Sequence, residues 1–367
     1  MVIGPKSQDF TLFYTVIALL SFGIIMVYSS SAVSAYVNFD DSYYFFKRQI
    51  IWVTLGIIAM LFTLNIDYHV WRKLALPILI VTVVMLILVL IPGLGKVVNG
   101  ARRWLGFGSL YLQPSEIAKL SMVLFCSASL AQHQGKITSF VKGLAPQLLI
   151  LILVFGLILK EPDLGTAMAI GGTIFILLFT AGAKISHLTS LGTVGIVGIV
   201  AAIILEPYRL KRLLAFSNPW ADPLDTGYHI IQSLYALGSG GLFGVGLGRS
   251  REKFLYLPEP HTDFIFAILG EELGFIGTIT VILLFFLFAW RGYKIAISAP
   301  DIYGSILAAG LTTMIVMQAL MNIAVVTASM PVTGIPLPFI SFGGSALIFT
   351  LAGVGILLNI SRYVNVK

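Results

Sequence analysis

Ten mostly apolar stretches, each about 16 to 28 residues long, recur at 11–29, 48–65, 75–92, 114–131, 145–160, 164–181, 187–205, 263–290, 304–323 and 342–360. About 20 such residues cross a bilayer as a helix. In hydrocarbon every backbone N–H and C=O must be bonded internally, which leaves helices or closed barrels. The alternating pattern of a membrane barrel is absent. Charged residues make up 11% of the chain, against about 25% in a soluble domain. The sequence therefore predicts an all-α polytopic membrane protein with ten transmembrane helices.

An even span count puts both termini on one side. That side carries Lys6, Arg72, Lys73, Lys136, Lys142, Lys184, Arg291, Lys294, Arg362 and Lys367, ten of the 23 Lys and Arg. Of the 16 acids only Asp9, Asp67 and Asp301 join them, so the net +7 lies wholly there. Basic short loops favour the cytoplasm, and both termini are expected to be cytoplasmic. A large extracellular loop, about 206–262, then lies between helices 7 and 8. The far side keeps thirteen basic residues or shares them with the spans. Long loops tolerate them, and basic groups facing an outer cavity also suit an anionic substrate. Ser31-Ala32-Val33-Ser34-Ala35 resembles a signal-cleavage site, but the span before it is one of ten alike and is read as retained. Cys126, the single cysteine, lies within a span. No Walker or dinucleotide fingerprint is present, so neither nucleotide nor nucleic acid is implied.

Several polar groups break the apolar pattern. Arg102-Arg103-Trp104 follows a glycine-rich connection from Pro92. Two arginines beside a tryptophan suit a bidentate phosphate clamp and equally suit an interfacial anchor. In Gln113-Pro114-Ser115-Glu116-Ile117-Ala118-Lys119, Pro114 fits the first helical position. Glu116 and Lys119 share a helix face, as an internal ion pair or one facing a pathway. Asp163 is placed to cap the helix after Pro162, and a supporting role for Glu161 stays open.

The 206–262 loop carries Trp220, Tyr228, Ile230, Ile231, Leu234, Tyr235 and Leu237, enough to pack it onto the membrane domain. Arg209, Lys211 and Arg212 open it as an anchor or as contacts for anionic head groups. Its glycine run, 238–248, lacks a surrounding βαβ unit. It reads as a hinge or as backbone that lets a lipid or sugar approach. Pro258-Glu259-Pro260-His261-Thr262-Asp263 follows, with Thr262 as expected N-cap and Asp263 in the first turn of span 8. An acid there is either a helix-dipole partner or functional. Glu271 and Glu272, two turns deeper, favour function, bracing the site through cations or held protonated. Gln318 and Asn322 read as interhelical bonding groups. The loop 327–344, rich in Pro and Gly, reads as partly re-entrant.

In this order the motifs resemble the SEDS family (shape, elongation, division and sporulation). The carrying residues are Asn99-Gly100-Ala101-Arg102-Arg103-Trp104, Gln113-Pro114-Ser115-Glu116 with Lys119, and Pro162-Asp163-Leu164-Gly165-Thr166. With them go the glycine run, Pro258 to Phe266, Gly270-Glu271-Glu272-Leu273-Gly274, and 336–345. Asp40-Asp41-Ser42, Lys47-Arg48-Gln49 and Ile91-Pro92-Gly93 point to the FtsW/SpoVE branch, with RodA as the near alternative.

The resemblance covers essentially the whole chain and implies one membrane domain over 1–367. It implies a multi-pass peptidoglycan glycosyltransferase of the bacterial cytoplasmic membrane. Lipid II would be joined to glycan on undecaprenyl diphosphate at the outer face. A class B penicillin-binding protein, a transpeptidase, would be the partner, with membrane lipids around both. Asp263 falls on the family's essential aspartate and is expected to act as general base. Arg103, Lys119 and Arg102 are expected to neutralise the leaving diphosphate, with Glu116 orienting Lys119. His261, Glu271 and Glu272 complete the expected substrate-binding set. A divalent cation, Mg or Mn, is compatible with that role, although no metal-ligand spacing is visible. The alternatives are a lipid II flippase and a scaffold for the transpeptidase.

Overall fold

A computed structural model describes residues 7–98, 100–107 and 110–364, so Asn99, Lys6 and Lys367 lie outside the described residues. Twelve α-helices are described. Ten follow the predicted apolar stretches: α1 (Phe10–Phe39), α2 (Tyr44–Leu64), α3 (Tyr68–Leu90), α4 (Pro114–Gln132), α5 (Ala145–Lys160), α6 (Leu164–Thr180), α7 (Ile185–Ile204), α10 (Ile265–Ser298), α11 (Ile302–Val326) and α12 (Ser345–Ser361). The other two, α8 (Pro207–Ser217) and α9 (Tyr228–Ser239), lie in the long segment between α7 and α10. By length and composition seven helices can cross a membrane: α1, α2, α3, α5 extended back to Phe140, α7, α10 and α11. The apolar helices α6 and α12 are shorter, at 17 residues each.

Helix starts follow their sequence signals. Asp9, Asp67, Asp163 and Asp301 cap α1, α3, α6 and α11 by accepting hydrogen bonds from first-turn N–H groups. Pro114 opens α4, with Glu116 in its first turn. α11 is the best buried of the seven helices that can cross a membrane and packs against α4, α6, α10 and α12, while α7 buries only Leu188.

The chain is not purely α. Between α3 and α4 lies a small antiparallel sheet of β1 (Gly95–Val98), β2 (Ala101–Phe107) and β3 (Leu110–Leu112), in that order. This stretch has no apolar run long enough for a span. It does carry Asn99-Gly100, a dipeptide that favours a tight hairpin, and Gly100 has φ 76°.

α10 is broken at Gly274, whose φ of 67° and ψ of −164° are not helical. The glycine run supplies the lost backbone partners. Val245 and Gly246 N–H donate to the Glu271 and Glu272 carbonyls at 3.0 and 3.1 Å, and Phe275 and Ile276 N–H donate to Gly241 and Leu242. A Cβ at Gly244 would collide with the Glu272 carbonyl. What approaches this glycine-rich backbone is therefore the broken helix.

α10 starts at Ile265, so Asp263 precedes the first turn, and Thr262 is not the N-cap. Its hydroxyl donates instead to Glu259. The loop 331–344 has no helix or strand and buries Leu337, Phe339 and Ile340. A Cβ at Gly23, near the middle of α1, would strike the Phe339 carbonyl, so the loop runs deep between helices.

Candidate active site

Asp263 is held through its backbone. Three successive carbonyls are each gripped by a different donor. Phe342 N–H donates to the His261 carbonyl at 2.9 Å, Ser341 Oγ to that of Thr262 at 2.6 Å, and Asn322 Nδ2 to that of Asp263 at 2.7 Å. Asn322 Nδ2 also donates to the Ile335 carbonyl at 2.8 Å. One turn earlier on α11, Gln318 Nε2 donates to the Pro336 carbonyl at 2.8 Å. Side chains of α11 thus fix both the 335–336 backbone and the Asp263 backbone against one another. The carboxyl itself faces Gly334, where an added Cβ would sit 3.4 Å from Oδ2.

Burial pushes the Asp263 carboxyl up to about 7; Glu259 and Asp163 push the same way, while Arg103 and Arg212 hold it down. These four charges come from four places: β2, the cap of α6, α8 and the preceding turn. Arg103 is the extra residue of a β-bulge. Trp104 faces Lys96 and Arg102 faces Val97, which leaves Arg103 without a cross-strand partner. A bulge re-aims a side chain, and here Arg103 turns to the α5–α6 connection. Its Nε donates to the Glu161 carbonyl at 2.9 Å and its Nη2 to that of Pro162. Asp163 is tied down by Thr166 and Gln113. Arg212 on α8 reaches the Val332 carbonyl at 3.3 Å.

The other expected residues are distributed differently. Lys119 lies 2.8 Å from Glu116, and both are at least 95% buried. Lys119 Nζ also donates to Gln318 Oε1 at 2.5 Å. The expected ion pair is present. Its charge is engaged inside the fold, where it holds Gln318, rather than offered to a diphosphate. Arg102 is half-buried opposite Val97, so the two neighbouring arginines do not form a matched clamp. His261 is buried, its ring tilted against that of Phe45 with centroids 4.2 Å apart and lying near Phe342. Burial pushes its imidazole down to about 4, so at neutral pH it packs as an uncharged ring. Glu271 and Glu272 lie in a second buried cluster with Ser250 and Lys253.

Among the described residues no three His, Cys, Asp or Glu side chains are placed to hold a metal ion. The described residues thus form no built site for the divalent cation considered above.

Sequence reading missed Gln318, Asn322 and Ser341 as site residues. Their signal was present, since polar amides and a hydroxyl within apolar surroundings must find partners. The partners are loop carbonyls, which no residue type announces. Glu161 has no role that its sequence context settles. Its side chain is fully buried, with neither carboxyl oxygen hydrogen-bonded, and burial pushes it up to about 9, with Asp163 adding and Arg103 opposing.

Residues 10–366 match the model of the cell cycle protein family FtsW/RodA/SpoVE. The chain is 52% identical to stage V sporulation protein E of Bacillus subtilis, over 99% of both chains. It is 45% identical to a probable peptidoglycan glycosyltransferase FtsW of Trichlorobacter lovleyi, over 96% of this chain and 93% of that one. A solved peptidoglycan synthase complex, described as coordinating polymerization and crosslinking, contains a chain similar at TM-score 0.80. That chain is 29% identical, with 97% of this chain and 98% of that one covered. The crystal structure of Thermus thermophilus rod shape determining protein RodA is similar at TM-score 0.72 and 29% identity, over 98% of each chain. With so much of its length matched on both sides, the chain belongs to the FtsW/RodA/SpoVE family, the SEDS proteins.

Proposed function

We propose that this protein is a peptidoglycan glycosyltransferase that polymerises lipid II at the outer face of the bacterial cytoplasmic membrane, with Asp263 as its general base. The observation that carries the reading is Asp263 itself: a carboxyl near pKa 7, on a backbone fixed at three consecutive carbonyls, with Arg103 close enough to hold it down. A base poised near the working pH is the efficient one. The similar proteins, named as probable peptidoglycan glycosyltransferases, and the similar peptidoglycan synthase complex support the same activity.

In this reading all ten apolar helices span, both termini are cytoplasmic, and the 206–262 segment lies outside. The whole chain is one membrane domain. The acceptor GlcNAc 4-hydroxyl of lipid II attacks C1 of the donor MurNAc. Asp263 takes the hydroxyl proton as the new C1–O bond forms. The C1–O bond to the diphosphate breaks, and undecaprenyl diphosphate leaves with the electron pair. One displacement at an α-linked donor gives a β-1,4 bond. Arg103, with Arg212 as the next cation, offsets charge developing on the leaving diphosphate. Lys119 and Glu116 act at one remove, holding Gln318 and through it the loop opposite Asp263. No step is assigned to a cation. A class B penicillin-binding protein is the partner that crosslinks the product.

Purified protein with labelled lipid II, with and without the transpeptidase, tests this. Glycan polymer on a gel is expected, and Asp263→Asn abolishes it. Lipid II crossing the bilayer without polymer, or polymer made equally by a folded Asp263→Asn protein, would overturn the reading.

A further inference from the structure

The segment that carries Asp263 is tied at both ends to one carboxylate. Lys253 Nζ lies 2.9 Å from Glu272 Oε1. Ser29 Oγ, on α1, reaches both Glu272 oxygens at 2.8 and 2.6 Å, and Lys253 Nζ lies 3.4 Å from the same hydroxyl. Glu271 beside it accepts from Ser250 Oγ at 2.5 Å and from Arg251 N–H at 2.7 Å. Lys253 and Glu272 are 5% and 0% exposed. The Glu271 and Glu272 carbonyls are held by the glycine strap, so the anchor does not move with the loop. Asp263 sits near the middle of the closed segment 253–272.

A buried ion pair is a poor source of net stability, because desolvation offsets the attraction. This one fixes a length instead. Between Lys253 and His261, Phe254, Leu255 and Tyr256 are all more than half exposed, and only Leu257 and Pro260 are buried. That half of the loop has little packing of its own to set its course.

We propose that Lys253 is a positioning residue: clamped by Glu272 and Ser29, its ammonium closes the 253–272 loop and fixes where that loop delivers the Asp263 carboxylate. This rests on Asp263 being the base. Misplacing a reacting group by about 1 Å can cost on the order of a hundredfold in rate, whereas substrate binding by residues outside the loop is untouched. The signature is therefore a loss in kcat without a matching rise in KM.

The test is lipid II polymerisation by the purified full chain with its transpeptidase, comparing Lys253→Met, Glu272→Gln and Lys253→Arg, with Asp263→Asn alongside. Lys253→Met and Glu272→Gln are expected to lose about ten- to a hundredfold in kcat, with KM within about twofold. Lys253→Arg is expected to recover most of it. In a Tyr256→Cys background, maleimide labelling is expected to quicken when the clamp is broken; Cys126 is buried. Should Lys253→Met fail to accumulate, Glu272→Gln carries the test, since it keeps the volume and the Ser29 hydrogen bond. Wild-type kcat in either variant, a loss confined to KM, or unchanged labelling would overturn the clamp. Activity surviving in Asp263→Asn would instead overturn the base assignment on which it rests.

Discussion

Asn322 Nδ2 donates to two carbonyls from different segments, that of Asp263 at 2.7 Å and that of Ile335 at 2.8 Å. One amide on α11 thus joins the start of α10 to the irregular loop before α12. Replacing it by leucine leaves both carbonyls without that donor. Each unpaired buried group costs about 1–3 kcal/mol. Asn322→Leu is expected to lower the melting temperature in detergent and to slow polymerisation. Asn322→Asp is expected to do the same, because a carboxylate cannot donate to two carbonyls. Thermal melting and a gel assay of polymer check both.

The pH dependence of polymerisation follows from Asp263. Its carboxyl must be ionised to accept a proton, and burial places that ionisation at about 7. The rate is expected to fall about tenfold per unit below that pH and to level off above it. Two neighbours move the limb in opposite directions. Arg103 holds the carboxyl down, so Arg103→Gln shifts the limb to higher pH. Glu259 pushes it up, so Glu259→Gln shifts it to lower pH. Profiles of kcat/KM for the three proteins check this.

Much of the site was legible from residue spacing. The i, i+3 step from Glu116 to Lys119 announced their pair, and Asp163 announced its cap. Each of the ten apolar runs falls on one of the twelve described helices. The rest depended on where distant backbone lies. The Asn99-Gly100 dipeptide carried a hairpin signal, yet the bulge that re-aims Arg103 is a matter of strand register. Gln318 and Asn322 are one turn apart, as two interhelical groups would be, and Gln318 does accept from Lys119 on α4; the amide donors, however, go to the carbonyls of Pro336, Ile335 and Asp263, which lie in irregular backbone. The glycine run looked like a surface for a ligand because the break at Gly274 that it repairs has no side-chain signature.

Arg103→Lys separates charge from geometry. Arg103 uses two nitrogens of its planar fork, Nε and Nη2, on two successive carbonyls, those of Glu161 and Pro162. A lysine keeps the charge but is a flexible point donor without that fork. The α5–α6 connection then loses its brace, and with it the placement of Asp163. Arg103→Lys is expected to retain part of the activity of Arg103→Gln's wild-type parent but to lose melting temperature nearly as much as Arg103→Gln does. Parallel melts and polymerisation rates separate the two effects.

Glu161 gives the stability of the fold a pH dependence of its own. Its carboxyl rises from an ordinary 4.5 to about 9, chiefly through burial. Across that window the folded chain holds a proton that the unfolded chain has released. Stability therefore falls as pH rises from about 4.5 to about 9, and the slope vanishes above it. Asp263 contributes a slope of the same sign, but only up to about 7. Between about 7 and 9 the decline belongs to Glu161, on the order of 1 kcal/mol per pH unit. Glu161→Gln removes the ionisation while keeping the volume. Its melting temperature is expected to stay level across pH 7 to 9 while the wild type declines. Melting curves in detergent at a series of pH values check this, and parallel curves for the two proteins would show that Glu161 ionises in the fold as readily as it does in water.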